Sequence, residues 1–275
     1  MSSTLDIPAH SAARAAVLDH LRLLAKWLFF PGFDVATRKR LALCRHFLSG
    51  DISTLDAGCG NGAFSLAAYR RGNRVLGVSF NEDEVRRCRE YAEFLGVDQA
   101  RCRFRPHNLY DLTSLGERFD QIFCFETLEH LARDQEVLAL FARLLNPGGV
   151  IHLCTPRLDR KPYYGEVISP VEDGGHVRLG YTPELFREIL EAEGFEVVTQ
   201  EDVVGPVSQA VMNFGRWLFA RPLGFLPTVW RDAVSGAVVL LLLPLTWLDR
   251  LRPRGRGLCI YVQARLSAAL PAVAR

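Results

Sequence analysis

The sequence predicts an α/β protein with a mostly parallel sheet, because short apolar runs alternate with helical stretches along most of the chain. Runs rich in β-branched or aromatic residues predict strands at 53–58, 74–79, 101–106, 119–125 and 149–154. Helical patterns lie between most of them, at 62–72, 82–96 and 134–145. A helix at 182–193 leads to a sixth strand that begins at Phe195, and a seventh strand is predicted at 258–265. Strands separated by helices form βαβ units, whose strands run parallel.

Two predicted helices precede the first strand and form an N-terminal helical cap over residues 1–50. Leucines at helical spacing predict the first helix, which Pro31-Gly32 ends. The second helix is predicted to run from Asp34, as its N-cap, to Leu48, with Gly50 as the stop signal.

The composition is that of an ordinary globular protein. The 275 residues are 49% hydrophobic and 23% charged, and the net charge of +2 gives no reason to expect a nucleic-acid partner. Seven scattered cysteines, without a CxxC pair, indicate reduced thiols in a cytoplasmic protein. No N-terminal pattern predicts a signal peptide. Acids and histidines are not clustered at ligand spacing in the sequence, so no metal site is predicted.

Residues 203–257 differ from the rest of the chain. They contain seven arginines and only two acids, Asp232 and Asp249. Their apolar run at 233–248 has 16 residues, which is shorter than the roughly 20 residues that a spanning helix needs. Three interpretations remain open: a helical lid over an acceptor pocket, a hairpin at a membrane interface, or a segment that completes the core. Tryptophan and arginine favour the headgroup zone of a membrane, and the segment carries Trp217, Trp230 and Trp247.

A glycine loop follows the first strand, in the order Asp56-Ala57-Gly58-Cys59-Gly60-Asn61-Gly62. Glycines allow a tight turn at a strand end and let a ligand approach the bare backbone. Dinucleotide-binding proteins use G-x-G-x-x-G, which leaves room for a pyrophosphate. Here the spacing is G-x-G-x-G behind an acid. S-adenosylmethionine (SAM) has no phosphate, but its ammonium and sulfonium groups suit an acid at this place, so the loop favours SAM over NAD.

This loop resembles the first motif of the class I SAM-dependent methyltransferases, and the resemblance continues over residues 51–200. Phe119–His130 is similar to the fourth strand and its "LEH" signature, and Leu145–Gly149 to the turn before the fifth strand. Gly175–Arg178 and Gly180–Leu185 resemble the loop and helix start that follow. The nearest branch is that of the ubiquinone-biosynthesis O-methyltransferases.

The resemblance implies a Rossmann-like sheet of seven strands, mostly parallel with the last strand antiparallel, and helices on both faces. It implies a SAM-binding core at 51–202, a hydrophobic helical insertion at 203–257 and the last core strand and tail at 258–275. SAM is the expected methyl donor and S-adenosylhomocysteine the product. The implied cofactor-binding residues are Asp56, Gly58, Cys59, Gly60, Gly62, Ser79, Phe80, Glu84, Asn108, Leu109 and Phe125.

Two of these positions depart from the family pattern. Ser79 stands where an acid usually accepts both ribose hydroxyls, and Asn108 stands where an acid lies near the adenine amino group. A serine makes only a neutral hydrogen bond, which is weaker than one to a carboxylate. We therefore expect Glu84, one helical turn later, to share the ribose with Ser79. Asn108 keeps a carbonyl acceptor for the adenine amine. Neutral residues at the position of Ser79 also resemble the cyclopropane-fatty-acid synthase and tocopherol methyltransferase branch, whose acceptors are lipids.

Three side chains are candidates for the base that takes a proton from an acceptor hydroxyl: His130, His176 and Glu126. His130 is equally suited to bind a loop carbonyl, and His176 to a structural role in its loop. The expected activity is O-methylation of a hydrophobic small molecule or lipid-linked sugar, by a cytoplasmic enzyme with a peripheral contact at the inner face of a membrane. The alternatives are C-methylation of a lipid and a non-catalytic binding protein. The acceptor and the oligomeric state do not follow from the sequence.

Overall fold

The computed structural model describes residues 21, 26, 30, 34–160, 168–169, 171–172, 174–220, 227–251 and 257–267. Seven strands form one sheet in the order β3-β2-β1-β4-β5-β7-β6. Strands β1 to β5 pair in parallel, and β7 runs antiparallel to both β5 and β6. The predicted methyltransferase-like sheet is therefore confirmed. The strands are β1 Ser53–Ala57, β2 Arg74–Ser79, β3 Cys102–Pro106, β4 Phe119–Phe125, β5 Leu145–Pro156, β6 Phe195–Val203 and β7 Cys259–Leu266.

Helices cover both faces of the sheet. The α-helices are α1 Val35–Leu41, α2 Ala63–Arg70, α3 Glu82–Phe94, α4 Asp134–Leu144, α5 Pro183–Ala192, α6 Pro206–Ala220 and α7 Thr228–Leu242. The 3₁₀ helices are Ala42–His46, Leu109–Leu115, Leu128–His130 and Leu243–Leu251. On one face α4 and α5 bury Phe141 and Phe186. On the other face α2, α3 and α6 bury Leu66, Val85 and Met212, and α1 packs on the same side.

Helix α1 begins where the sequence predicts but ends earlier. The Asp34 carboxylate accepts hydrogen bonds from the amides of Ala36 and Thr37 at 3.3 and 2.9 Å, as an N-cap does. The α-helix stops at Leu41 rather than Leu48, and a 3₁₀ turn follows. Phe47 then leaves the helix, because its ring stacks on Phe123 of β4 with a centroid distance of 4.0 Å. The helix predicted before Pro31 lies almost entirely outside the described residues.

Two strands are longer than their sequence patterns. Strand β5 begins at Leu145 rather than at 149, because Leu145 pairs with Phe119 across a bulge in the ladder. Strand β6 continues to Val203, because antiparallel pairing with β7 extends to Cys259. Backbone pairing to a neighbouring strand does not require apolar alternation, so these extensions leave no periodic signal in the sequence.

The insertion after β6 forms α6, α7 and the 3₁₀ helix Leu243–Leu251. It leaves the sheet at the edge where the parallel strands end, through Val204, whose φ of +59° is unusual for a β-branched residue. The Asp249 carboxylate joins the two ends of the insertion, since it accepts hydrogen bonds from the amides of Val207 and Ser208 at the start of α6, at 2.8 and 3.1 Å. Within the described part of the chain, no helix combines the length and the apolar character that crossing a membrane requires.

Candidate functional site

A cleft of about 490 Å³ opens at the carboxyl ends of the parallel strands, a volume typical of small-molecule sites. Nine residues proposed from the sequence line it: Gly58, Gly60, Ser79, Phe80, Glu84, Asn108, Leu109, Glu126 and His130. Six further lining residues were missed: Asn81, Tyr110, Thr127, Leu131, Glu172 and Gly174. Asn81 carried a usable signal, because an asparagine before an acidic helix start is typical of an N-cap.

The glycine loop is tied to β2 by its own backbone. The amides of Gly58 and Cys59 both donate to the Val78 carbonyl at 2.9 Å. Gly58 has a φ of +87°, and a Cβ there would lie 2.3 Å from the Thr127 hydroxyl. Gly60 has a φ of +51°, and a Cβ there would meet no atom within 4 Å. A side chain at position 58 would collide with Thr127, so packing within the protein requires glycine there. A side chain at position 60 would meet no protein atom and would only take up space in the cleft.

Four residues proposed as cofactor contacts lie behind the cleft and do not line it. The buried Asp56 carboxylate accepts a hydrogen bond from Ser65 of α2 at 2.5 Å, and burial raises the pKa of Asp56 to about 6. Cys59 is buried, Gly62 caps α2, and Phe125 packs edge-on against the ring of Phe64. These residues hold the loop and α2 in place.

The two side chains expected to share a ribose lie together on the cleft wall. The Ser79 hydroxyl donates to Oε2 of Glu84 at 2.7 Å and accepts from the Asn81 amide at 3.2 Å. The Asn81 side chain caps α3 by accepting from the Glu84 amide at 3.3 Å. The Glu84 carboxylate therefore lies within hydrogen-bond distance of Ser79, the position at which the family pattern has an acid.

A second part of the cleft is formed around Asn108. Its side-chain carbonyl accepts from the Tyr110 amide at 2.9 Å, which leaves one of its two lone pairs for a ligand. The Tyr110 hydroxyl donates to Glu172 at 2.5 Å, so the segment after β5 reaches across to this wall. Phe80, which is 75% exposed, offers a bare aromatic face beside Leu109.

The rings of His130 and His176 are in contact, and His130 lines the cleft. Their ring centroids are 4.6 Å apart in an edge-on arrangement. Nδ1 of His130 lies 2.9 Å from the carbonyl oxygen of Gly175. Since a carbonyl only accepts, Nδ1 carries the proton and the neutral ring has its lone pair on Nε2. His130 thus binds a loop carbonyl and still offers a basic nitrogen. His176 does not line the cleft among the described residues.

Glu129 joins the two histidines. One ligand atom of each of Glu129, His130 and His176 lies within 4.8 Å of the others. Spacing along the sequence did not indicate this group, because the loop after β5 brings His176 back to the 3₁₀ helix of Glu129 and His130. Two imidazoles and a carboxylate are a donor set that divalent zinc or iron accepts.

Glu126 occupies the end of β4 in a strained conformation. Its φ is +50°, and non-glycine residues in this region gather at functional sites. One carboxylate oxygen pairs with Arg40 of α1, and the other is buried without a hydrogen-bond partner among the described residues. Burial raises the pKa of Glu126, and the positive charge of Arg40 opposes that rise. No local sequence pattern indicates this pair, since its members lie 86 positions apart.

The described residues of the insertion lie away from the cleft wall. None of the described residues of 203–257 is among the lining residues. Its neighbour Cys259, at the start of β7, approaches Glu126 with a sulfur-to-oxygen distance of 4.0 Å. The described residues of 203–257 therefore give no support to the interpretation of this segment as a lid over the cleft.

Comparison with known proteins agrees with this geometry. Residues 48–199, more than half of the chain, match a family described as a methyltransferase domain. A ubiquinone biosynthesis O-methyltransferase from Methylobacterium sp. (strain 4-46) is 28% identical over 199 residues, which are 66% of this chain and 76% of that protein. A sterol 24-C-methyltransferase from Eremothecium gossypii is 28% identical over 240 residues, which are 82% of this chain and 62% of that protein. The chain thus spans less than two thirds of the sterol enzyme.

Solved structures show the same fold. The [4+2]-cyclase SpnF superposes with a TM-score of 0.58 at 19% identity, over 85% of this chain and 81% of the cyclase. At this identity the likeness concerns the fold alone. That protein is described as a cyclase, which illustrates that a shared fold does not determine the reaction.

Proposed function

Since this chain belongs to the SAM-dependent class I methyltransferases, we propose that it methylates an oxygen atom of a hydrophobic or lipid-linked acceptor. The observation that carries the proposal is that a single cleft is lined both by the Ser79–Glu84 pair and by His130 and Glu126. The first pair suits the hydroxyls of a ribose, and the second suits an acceptor hydroxyl.

The cofactor residues divide the cleft into three parts. Ser79 and Glu84 bind the ribose, where the carboxylate makes the stronger, charge-assisted hydrogen bond. Phe80 and Asn108 take the adenine, by ring stacking and by the remaining carbonyl lone pair. Gly60 leaves room for the methionine portion. When bound, SAM supplies a methyl group that is activated by its positively charged sulfur.

His130 is the base in this proposal. The Gly175 carbonyl holds the proton on Nδ1, so Nε2 accepts the proton of the acceptor hydroxyl as the oxygen is methylated. Glu126 contributes negative charge near the sulfonium, and Arg40 stabilises its ionised form. Alignment of the two substrates and exclusion of water supply the rest of the rate.

C-methylation of a lipid is the second candidate. It needs a group that stabilises a carbocation, and the Glu126 carboxylate on the cleft wall is suited to this. Methyl transfer to carbon does not begin with removal of a hydroxyl proton, so the two candidates differ in their dependence on His130.

The test compares His130→Gln with the control His107→Gln, whose ring lies against the Asp111 carbonyl and does not line the cleft. S-adenosylhomocysteine release is followed with a long-chain alkyl catechol and with a sterol that has an unsaturated side chain. Binding of S-adenosylhomocysteine is measured by calorimetry. We expect turnover of the catechol, a loss of about 100-fold or more in kcat for His130→Gln, and unchanged cofactor binding for both variants.

Each part of the proposal has its own contradicting result. Full activity of His130→Gln would show that His130 is not the base. Turnover of the sterol without turnover of the catechol would favour methylation of carbon over methylation of oxygen. Loss of activity with a chelator, restored by a divalent cation, would make Glu129, His130 and His176 metal ligands and would contradict the role of His130 as the base. Absence of S-adenosylhomocysteine binding would contradict the proposed cofactor site.

The acceptor is expected at a membrane, which 203–257 contacts at the level of the headgroups. Trp217, Trp230 and Trp247 are all exposed, and tryptophan favours this zone. Part of the segment lies outside the described residues, including the arginines at 252, 254 and 256. The described part supports the interfacial interpretation because its tryptophans are not buried in a core.

A further inference from the structure

A second groove lies outside the cofactor cleft, between α1 and the 3₁₀ helix Leu243–Leu251. We call it the α1 groove; its volume is about 770 Å³. Its apolar wall includes Leu240, Leu243 and Trp247, and three cations line it: Arg38, Lys39 and Arg250. It shares no lining residue with the cofactor cleft among the described residues.

Two of the three cations, Lys39 and Arg250, are held in the groove by contacts with its wall. The Lys39 ammonium donates to the Thr246 carbonyl at 2.7 Å, which joins α1 to the 3₁₀ helix. Burial lowers the pKa of Lys39, and the neighbouring charge of Arg250 lowers it further while Asp249 opposes both. The Arg250 guanidinium lies 4.6 Å from the centroid of the Trp247 ring. An anion that reached this place would meet several donors at once.

The acid beside this cluster has another role. The Asp249 carboxylate accepts hydrogen bonds from Val207 and Ser208 at the start of α6. Its charge is therefore directed to the helix end, where it stabilises the positive end of the helix dipole. The charged residues that line the α1 groove, within the described part of the chain, are all cations, and Asp249 is not among them.

The surface around the groove is strongly apolar. Trp247 is 65% exposed, Leu241 78% and Leu251 81%. Water-exposed surfaces of monomeric proteins rarely carry so many large apolar side chains in one stretch, and such stretches mark interaction sites. Apolar side chains beside tryptophan and arginine are typical of segments that lie in a membrane interface.

We propose that the α1 groove binds an anionic phospholipid and docks the enzyme on an anionic membrane. The phosphate lies against Arg38, Lys39 and Arg250, and the upper acyl chain lies against Leu240 and Trp247. The proposal rests on the membrane contact under the proposed function and adds the lipid class and the cations that select it, two of which come from α1 rather than from 203–257. A free phosphate would use the cations but not the apolar wall.

The α1 groove and the cofactor cleft are connected through α1. Helix α1 carries Arg38 and Lys39 to the groove and, one residue later, Arg40 to Glu126 in the cofactor cleft. A single short helix therefore joins the membrane-facing surface to the acceptor side of the cleft.

The test measures sedimentation of the full chain with vesicles of phosphatidylcholine, with and without phosphatidylglycerol. The variant is Arg38→Gln/Arg250→Gln. The matched control is Arg143→Gln/Arg187→Gln, which changes two exposed arginines of α4 and α5 on the opposite face of the sheet. Each cation near an anionic surface contributes about fivefold to partitioning. We expect the groove variant to lose roughly 25-fold with anionic vesicles, the control to lose nothing, and inorganic phosphate not to compete.

Three results would overturn the proposal. If the groove variant binds anionic vesicles as strongly as the wild type, Arg38 and Arg250 do not take part in lipid binding. Equal binding to vesicles with and without phosphatidylglycerol would reject lipid selectivity but leave the membrane contact of 203–257 intact. Absence of binding to any vesicle would reject that contact as well. S-adenosylhomocysteine affinity, measured on the same samples, verifies that the variants are folded and tests the methyltransferase assignment separately.

Discussion

Replacing Arg40 by methionine removes the cation that faces the Glu126 carboxylate and keeps an unbranched apolar stem. Loss of one partner of a buried ion pair costs about 3–5 kcal/mol, because the remaining charge is left uncompensated. The Arg40 side chain is 9% exposed and that of Glu126 23%, so water screens the carboxylate in part. We therefore expect Arg40→Met to lower the free energy of unfolding by roughly 3 kcal/mol at neutral pH, the lower end of that range.

The loss should depend on pH in a defined direction. Burial raises the pKa of Glu126 and Arg40 opposes the rise, so the variant's pKa should be higher still. A carboxyl with a raised pKa in the folded state contributes stability that is present below its unfolded pKa and lost as pH rises through its folded pKa. The deficit of Arg40→Met relative to wild type should therefore be small near pH 5 and grow toward neutral pH.

The assay is denaturant unfolding of wild type, Arg40→Met, Glu126→Gln and the double variant, from about pH 5 to about pH 8. Glu126→Gln removes the charge that Arg40 compensates, so the double variant should recover most of the loss of Arg40→Met. A deficit that is independent of pH, or equal in Arg40→Met and in the double variant, would show that Arg40 contributes packing alone and would refute the electrostatic account.

Four further predictions concern the candidate cofactor site. Gly58→Ala should lower stability by about 1–3 kcal/mol, since its Cβ would collide with Thr127. Gly60→Ala should lower the free energy of unfolding by about 1 kcal/mol or slightly more yet abolish S-adenosylhomocysteine binding. Thermal unfolding and calorimetry separate the two effects, and retained binding by Gly60→Ala would show that Gly60 does not keep space open for the ligand. Glu84→Gln should weaken S-adenosylhomocysteine binding by about tenfold or more, because a charge-assisted hydrogen bond is lost; an unchanged Kd would reject the ribose role. Burial raises the pKa of Asp56 to about 6. The free energy of unfolding of the wild type should therefore fall by roughly 2–3 kcal/mol relative to that of Asp56→Asn as pH rises from about 4 to about 6. Equal pH dependence of the two free energies would contradict this.

Local patterns in the sequence were sufficient for the order and type of most elements. The alternation of apolar runs and helical stretches predicted all seven strands, and Asp34 marked the start of α1. Where the prediction failed, long-range contacts decided the outcome. Phe47 stacks on Phe123 and ends the helix early, and pairing of Leu145 with Phe119 extends β5. Neither contact leaves a periodic signal near the residue that it affects.

The position of the candidate cleft was also predictable, because several of the residues that line it follow strand ends. Parallel strands bring their carboxyl ends to one edge, so Gly58, Ser79 and Glu126 had to lie near one another. The hydrogen bond between Ser79 and Glu84 spans five positions, a distance over which local backbone geometry is well determined. The glycine spacing was enough to favour SAM over a dinucleotide.

The sequence by itself determined the family, the cofactor and the edge of the sheet that carries the site. Only the tertiary structure decided which side chains meet there. His130 and His176 are brought together by the loop after β5, Arg40 reaches Glu126 from a helix before the first strand, and α1 forms a groove with residues some 200 positions later. The physical reason is that motifs record constraints between neighbours in the chain, whereas the pairing of charges and the surfaces left exposed depend on how distant elements pack.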